Sequence, residues 1–290
     1  MSDAVMVETP SGKIASDENF PVGSWLLSAR LRPHIACFYG FARAIDDIAD
    51  NPDLAPEDKV ARLDAFEAAL TGATADDPAY RKAHSLRRSL RETGVTAEHG
   101  VDLLSAFKQD ATKLRYRDWD DLIDYCNRSA APVGRYLLDL HGDSGAGYPA
   151  SDALCNALQV INHLQDCKQD YLDLDRVYLP LEWFERSGAT VAELAAAKAS
   201  PGVRAVLDLA LDGVEVLLAQ ARALPGGLLS RRLAMESAAI LAIAERLTEL
   251  LRRRDPLAQR VELSRPQFLV CCLRGVLRTA LQYWTTGRGR

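Results

Sequence analysis

Two aspartate pairs, Asp46/Asp50 and Asp166/Asp170, are the residues of this chain best suited to chemistry. Each pair is spaced i, i+4, so on a helix both carboxylates leave from one face, where they repel unless a cation lies between them. Hard oxygen donors of this kind suit Mg²⁺, which takes one or two carboxylates and completes its shell with water and phosphate oxygens. Taken alone, the first pair reads equally well as a solvated acidic face. Against that reading, Cys37, Phe38, Phe41, Ala42 and Ile45 make its surroundings mostly apolar. The second pair has Asn162 one turn upstream, and Asn162, Asp166 and Asp170 form a polar stripe along an apolar helix. Such a stripe costs on the order of several kcal/mol unless it is paired, solvated or bound to metal. Two equally spaced pairs on separate helices explain each other if they face across a cavity. Metal ions held there neutralise a diphosphate leaving group as Lewis acids. Arg43, one turn before Asp46, has two readings, a clamp on phosphate or an intrahelical salt bridge to Asp46 or Asp47.

Other chemistries find little footing. His34, His84, His99, His141 and His163 make no HExxH or comparable ligand spacing, and His163 reads as a core or rim histidine. Six cysteines (Cys37, Cys126, Cys155, Cys167, Cys271, Cys272) include no CxxC pair, so they are expected to be buried thiols in a reducing cytosol. No GxGxxG nucleotide loop and no nucleic-acid motif is visible.

The elements that position the aspartates are helical. Apolar residues recur at three and four, as in Leu207, Ala210, Leu211, Val214, Leu217 and Leu218. This spacing predicts helices over 33–50, 57–70, 78–92, 96–113, 119–128, 132–140, 151–171, 203–223, 228–253 and 266–284. Breakers such as Asn51-Pro52, Thr71-Gly72, Gly142 to Gly147 and Pro225-Gly226-Gly227 separate them. No alternating β-branched run is long enough for a strand. With 290 residues, 48 % of them hydrophobic, the chain can bury a substantial core, and the expectation is an all-α single domain over 18–285, a disordered stretch 1–17 and a basic tail 286–290. The first twenty residues lack the apolar run of a secretory signal, and no apolar stretch reaches membrane-spanning length. The expected location is the cytoplasm, with peripheral contact on the inner face of a bacterial membrane. From Arg252 onward nine arginines face two acids, leaving +7 there and −12 in the remainder of a chain whose net charge is −5. That tail is either a lipid-contacting patch or simply solvated.

The motif stretches resemble the squalene and phytoene synthase family, the head-to-head branch of trans-isoprenoid synthases. Phe38-Tyr39 through Asp50 resembles its first aspartate motif, and Asp166 to Asp170 followed by Asp175-Arg176-Val177-Tyr178-Leu179-Pro180 resembles its second. Asp110, Lys113, Arg115, Tyr116, Tyr125-Cys126 and Val133-Gly134 resemble its central helices, and the likeness spans about Phe20 to Pro180. The resemblance implies an isoprenoid-synthase helical bundle around a central cavity. It implies two or three Mg²⁺ ions on Asp46, Asp50, Asn162, Asp166 and Asp170, with the four aspartates catalytic. Tyr39, Arg43, Asp47 and Gln159 would line the diphosphate pocket, and Asn19 and Phe20 stand where the family often has Ser-Phe near the phosphates. Tyr116, Tyr125, Gln165, Arg176 and Tyr178 would complete the substrate site, and Phe20, Phe38, Phe41, Tyr116 and Tyr125 are candidates for shielding a carbocation.

Departures from the family pattern narrow the expectation. Gln165 and Gln169 stand where the family usually has a base and an acid, and Ala130-Ala131-Pro132 precedes Val133-Gly134 where condensing members have Gly-Thr or Gly-Leu. The reduced charge points to one diphosphate rather than two. The chain is most similar to the bacterial hopanoid-pathway branch, which ionises presqualene diphosphate, rearranges the cation and captures water. Its partners would then be a prenyl-diphosphate substrate and hand-over to other enzymes of that pathway, with NADPH not expected and no nucleic acid. The alternatives are condensation of two farnesyl or geranylgeranyl diphosphates, and a non-catalytic helical partner subunit.

Overall fold

The computed structural model describes residues 26–285 apart from position 144, so the expectations for 1–17, Asn19, Phe20 and 286–290 lie outside the described residues. Contacts within the chain gather into two compact units, one ending at Lys113 and one beginning at Leu114.

The first unit holds α1 (Arg32–Ala49), α2 (Pro56–Thr71), α3 (Arg81–Thr93) and α4 (Glu98–Asp110). Prolines open α1 and α2 in the first turn, where a missing N–H costs nothing. Gly72 and Gly94 close α2 and α3 at φ of 86° and 75°, the left-handed conformation that only glycine adopts cheaply. Helix α1 packs against the other three and buries Ile35, Phe38, Phe41, Ala44, Ile45, Ile48 and Ala49. Phe41 meets Phe66 of α2 with ring centroids 6.3 Å apart, and Phe66 in turn meets Tyr80 edge-on at 5.4 Å.

The second unit holds α5 (Trp119–Ser129), α6 (Ala131–Leu140), α7 (Tyr148–Leu174), α8 (Leu181–Ser187), α9 (Pro201–Ala221), the single turn α10 (Leu224–Gly227), α11 (Arg231–Arg253) and α12 (Arg265–Thr285). Helix α7, 27 residues long, is its axis, packed by α5, α6, α9 and α11. Asp118, Ser200 and Ser230 cap α5, α9 and α11 through side-chain oxygens that accept from backbone N–H groups three residues on. Against α11 lies α12, and the approach is closest at Gly275, where an added Cβ would sit 2.6 Å from the Ala238 carbonyl carbon.

No strand forms among the described residues, as the sequence predicts, and all ten helices expected from periodicity are present with ends shifted by a few residues. The helix expected over 78–92 opens as a 3₁₀ turn, Pro78–Tyr80, before α3 begins. Helix α8 and the 3₁₀ turn Val191–Ala195 were not expected, because pieces of seven and five residues are too short to show a period. Two further expectations need correction. Of the six cysteines, Cys126 and Cys167 are buried and the other four are only half-buried. Arg252 does not begin a free basic tail: its guanidinium pairs with Asp208, Asp212 and Glu215 of α9 and so clamps α11 to that helix.

Substituting Gly275→Ala places a methyl group against backbone that cannot rotate away. It should destabilise the protein by about 1 to 3 kcal/mol, the usual range for overpacking. A thermal melt followed by circular dichroism should show the loss as a Tm lower by several degrees, with the helical signal at low temperature unchanged.

Candidate active site

Helix α1 is buried along one side and partly accessible along the other. The accessible strip runs through Ala36, Tyr39, Arg43, Asp46 and Asp50, steps of three and four that keep them on one face. Arg43 lies 3.0 Å from Asp46 and 3.3 Å from Asp47, so the intrahelical salt bridge is formed. The Asp47 side chain is only 6 % exposed, which makes Arg43 its necessary counter-charge.

Helix α7 shows the same construction more sharply. From Ser151 to Cys167 it is buried at every position except Asp152, Cys155, Gln159, Asn162 and Asp166, and the strip continues to Asp170. Gln159, Asn162, Asp166 and Asp170 therefore share one partly accessible line on an otherwise enclosed helix. The sequence reading stopped at Gln159. In the structure the line extends to Cys155 and Asp152, where Asp152 accepts two hydrogen bonds from Arg135 of α6 at 2.9 and 2.7 Å. The i, i+3, i+4 spacing of Asp152, Cys155 and Gln159 was the available signal.

The opposite side of α7 holds the protein together. Gln165 is buried and its amide donates to the Val261 carbonyl at 2.5 Å, while Lys168 donates to Ala196 at 2.9 Å and Leu257 at 3.2 Å. Gln169 donates to Asp173 one turn on.

Beyond Asp170 the helix ends at Asp175, which is left-handed at φ 48°. Arg115 donates to both the carbonyl and the carboxylate of Asp175. The chain then runs beside 114–117, with Val177 N–H donating to Leu114 at 2.9 Å and Leu181 N–H to Tyr116 at 2.9 Å. This pairing sets Tyr178 against Tyr116, stacked at 5.4 Å, and against Tyr125, also at 5.4 Å. His163 stacks on Tyr178, with ring centroids 3.6 Å apart. All four rings are buried. Burial, reinforced by the nearby Arg176 guanidinium, pushes His163 down to about 3, so it stays neutral at ordinary pH. Arg176, itself buried, donates to the Tyr178 hydroxyl at 3.1 Å. The structure thus gathers Tyr116, Tyr125, Arg176 and Tyr178 around a histidine that reads as core, while Asn19 and Phe20 lie outside the described residues.

The donor sets can be tested against a hard cation. Among the described residues no group of three or more His, Cys, Asp or Glu is arranged to hold a metal ion. Each aspartate pair therefore offers one or two carboxylates, half exposed, which is the open ligand set of Mg²⁺ completed by water and phosphate rather than an all-protein cage. The residues fit. A groove of about 960 Å³ between α9, α11 and α12 carries neither pair; Arg222–Glu245, Arg246–Glu249 and Arg252–Glu215 are ion pairs within it, and Arg253 and Arg274 also line it.

Comparison with known proteins identifies the family. The squalene/phytoene synthase family model matches residues 14–267. Hydroxysqualene synthase of Rhodopseudomonas palustris is 43 % identical, over 97 % of this chain and 95 % of the relative. Hydroxysqualene synthase of Sinorhizobium fredii is 46 % identical, over 88 % of this chain and 86 % of the relative. Among solved structures, squalene synthase HpnC from Alicyclobacillus acidocaldarius superposes with a TM-score of 0.70 at 34 % identity, covering 80 % of this chain and 87 % of that one. The helical architecture, the aspartate pairs and a match over most of its length place this chain in the squalene/phytoene synthase family.

Proposed function

We propose that this chain is a hydroxysqualene synthase that ionises presqualene diphosphate and captures the rearranged cation with water. Support comes above all from the identity of 43 and 46 % to relatives of that name across nearly their whole length, with both aspartate pairs in place. Asp46, Asp50, Asp166 and Asp170 would hold Mg²⁺ with help from Asn162, and the bound ions supply Lewis-acid neutralisation of the diphosphate. Arg43 and Tyr39 sit on the same line as the first pair, and Gln159 on the same line as the second, where they would line the diphosphate pocket. The C–O bond then breaks with its electron pair leaving on diphosphate. The cyclopropylcarbinyl cation rearranges, water oxygen attacks it, and a proton is released. Tyr116, Tyr125 and Tyr178 would offer aromatic faces to shield the carbocation. The balance needs no reductant, which is why NADPH is not part of the proposal.

Incubated with presqualene diphosphate and Mg²⁺ in ¹⁸O-labelled water and no NADPH, the protein should release diphosphate and a C₃₀ alcohol carrying the label by mass spectrometry. A hydrocarbon, or no product, would overturn the water-capture reading. Farnesyl diphosphate offered under the same conditions should be left essentially intact, since efficient coupling would instead mark a condensing enzyme.

Asp46→Asn and Asp166→Asn, tested singly, should each lower kcat by at least about a thousandfold if several kcal/mol of leaving-group stabilisation depends on them. The helical circular dichroism signal should remain. Turnover close to that of the parent would remove the metal-binding role of that pair.

A further inference from the structure

Helix α12 presents a surface that the proposed chemistry does not use. One side faces α11, with Gly275 against the Ala238 backbone and Thr279 buried. The other side exposes Leu269, Val270, Leu273, Leu277 and Leu281, each more than half accessible. At 1.5 Å rise per residue, the strip from Leu269 to Leu281 is about 18 Å long. Surface leucines scattered singly are ordinary, but a continuous strip on one helix marks an interaction face.

The charges decide what it faces. Arg274 and Arg278 border the strip on one side and Arg265 on the other, all three exposed and with no ion-pair partner among the described residues. Helix α12 contains no aspartate or glutamate. Arg246 and Arg204, by contrast, find acids one turn away on their own helices, Glu249 and Asp208. A second copy of the strip would bring six unpaired guanidinium groups together with no acid on either helix. An anionic membrane surface supplies what both parts of the face lack: acyl chains for the leucines and phosphates for the arginines. No described helix is long and apolar enough to cross a membrane, so α12 would lie along the interface. We propose that the Leu269–Leu281 face of α12, bordered by Arg265, Arg274 and Arg278, docks the protein on an anionic lipid bilayer. The earlier expectation of lipid contact through a tail beginning at Arg252 is thereby moved, because Arg252 is held by α9.

The test is co-sedimentation of the full chain with vesicles of phosphatidylcholine alone and of an equal mixture with phosphatidylglycerol. Binding to the anionic vesicles should be at least about tenfold tighter and should weaken as salt is raised. The double variant Leu273→Glu with Leu277→Glu should lose at least about tenfold in affinity. Arg274→Gln with Arg278→Gln should lose a similar factor at low salt while keeping the leucine strip. Parent and both variants sedimenting alike would overturn the proposal. So would a dimer, seen by analytical ultracentrifugation, that the leucine variant dissociates while the parent shows no preference for anionic vesicles.

Discussion

A carboxylate on a helix inside a packed bundle needs either a counter-charge or a path to water, and much of this structure follows from keeping such a path open. Helices α1 and α7 are each enclosed on most sides, yet each leaves one line of positions partly accessible, and the aspartate pairs stand on those lines. That arrangement demands close packing everywhere else. Around α7, four neighbours supply it, and Gly134 of α6 lets α6 approach so near that an added Cβ would press on the buried Ser151 hydroxyl. Around α1, Phe41 and Phe66 fill the volume that polar side chains vacate. Only Asp47 falls on the enclosed side, and Arg43 is drawn to it and to Asp46 at once. The guanidinium thus has a structural task whatever it also does for phosphate.

The far end of α7 shows how charge is controlled next to the second pair. The left-handed Asp175 turns the chain so that Arg176 enters the interior, where a buried cation is expensive unless its donors are met. The Tyr178 hydroxyl meets one of them. His163 must then remain neutral, since a second cation beside Arg176 would add repulsion to desolvation, and its depressed pKa expresses that constraint. The Arg115–Asp175 contact and the pairing of 114–117 with 177–182 hold this turn in place.

Much of this was legible in the sequence because it is periodic. The i, i+4 aspartates in apolar surroundings located both lines on the correct helices, and proline and glycine marked where helices begin and end. What was not legible depends on partners distant in sequence. Nothing near Arg252 announces that acids at 208, 212 and 215 will receive it. Nothing near Gln165 announces Val261, 96 residues away. Short elements such as α8 escape for the opposite reason, since seven residues give a period too little room. The apolar strip on α12 reads in sequence like any amphipathic helix, and only the lack of a covering element among the described residues sets it apart.

The two glutamines beside the second pair show how one residue can answer to two constraints. Read against the family pattern, Gln165 and Gln169 lower the charge near Asp166 and Asp170. In the structure Gln165 is also a tie, because its amide N–H donates to the Val261 backbone carbonyl. With Lys168 donating to Leu257 from the same side of α7, it fastens the connection between α11 and α12 to the central helix. Gln169 donates instead to Asp173, on the exposed side, so it softens a neighbouring acid rather than adding another. Neither position contributes a carboxylate to the accessible line. The acid there belongs to Asp166 and Asp170, with Asn162 contributing an uncharged oxygen, and this is the smallest set that still offers a hard cation adjacent ligands on one helical face.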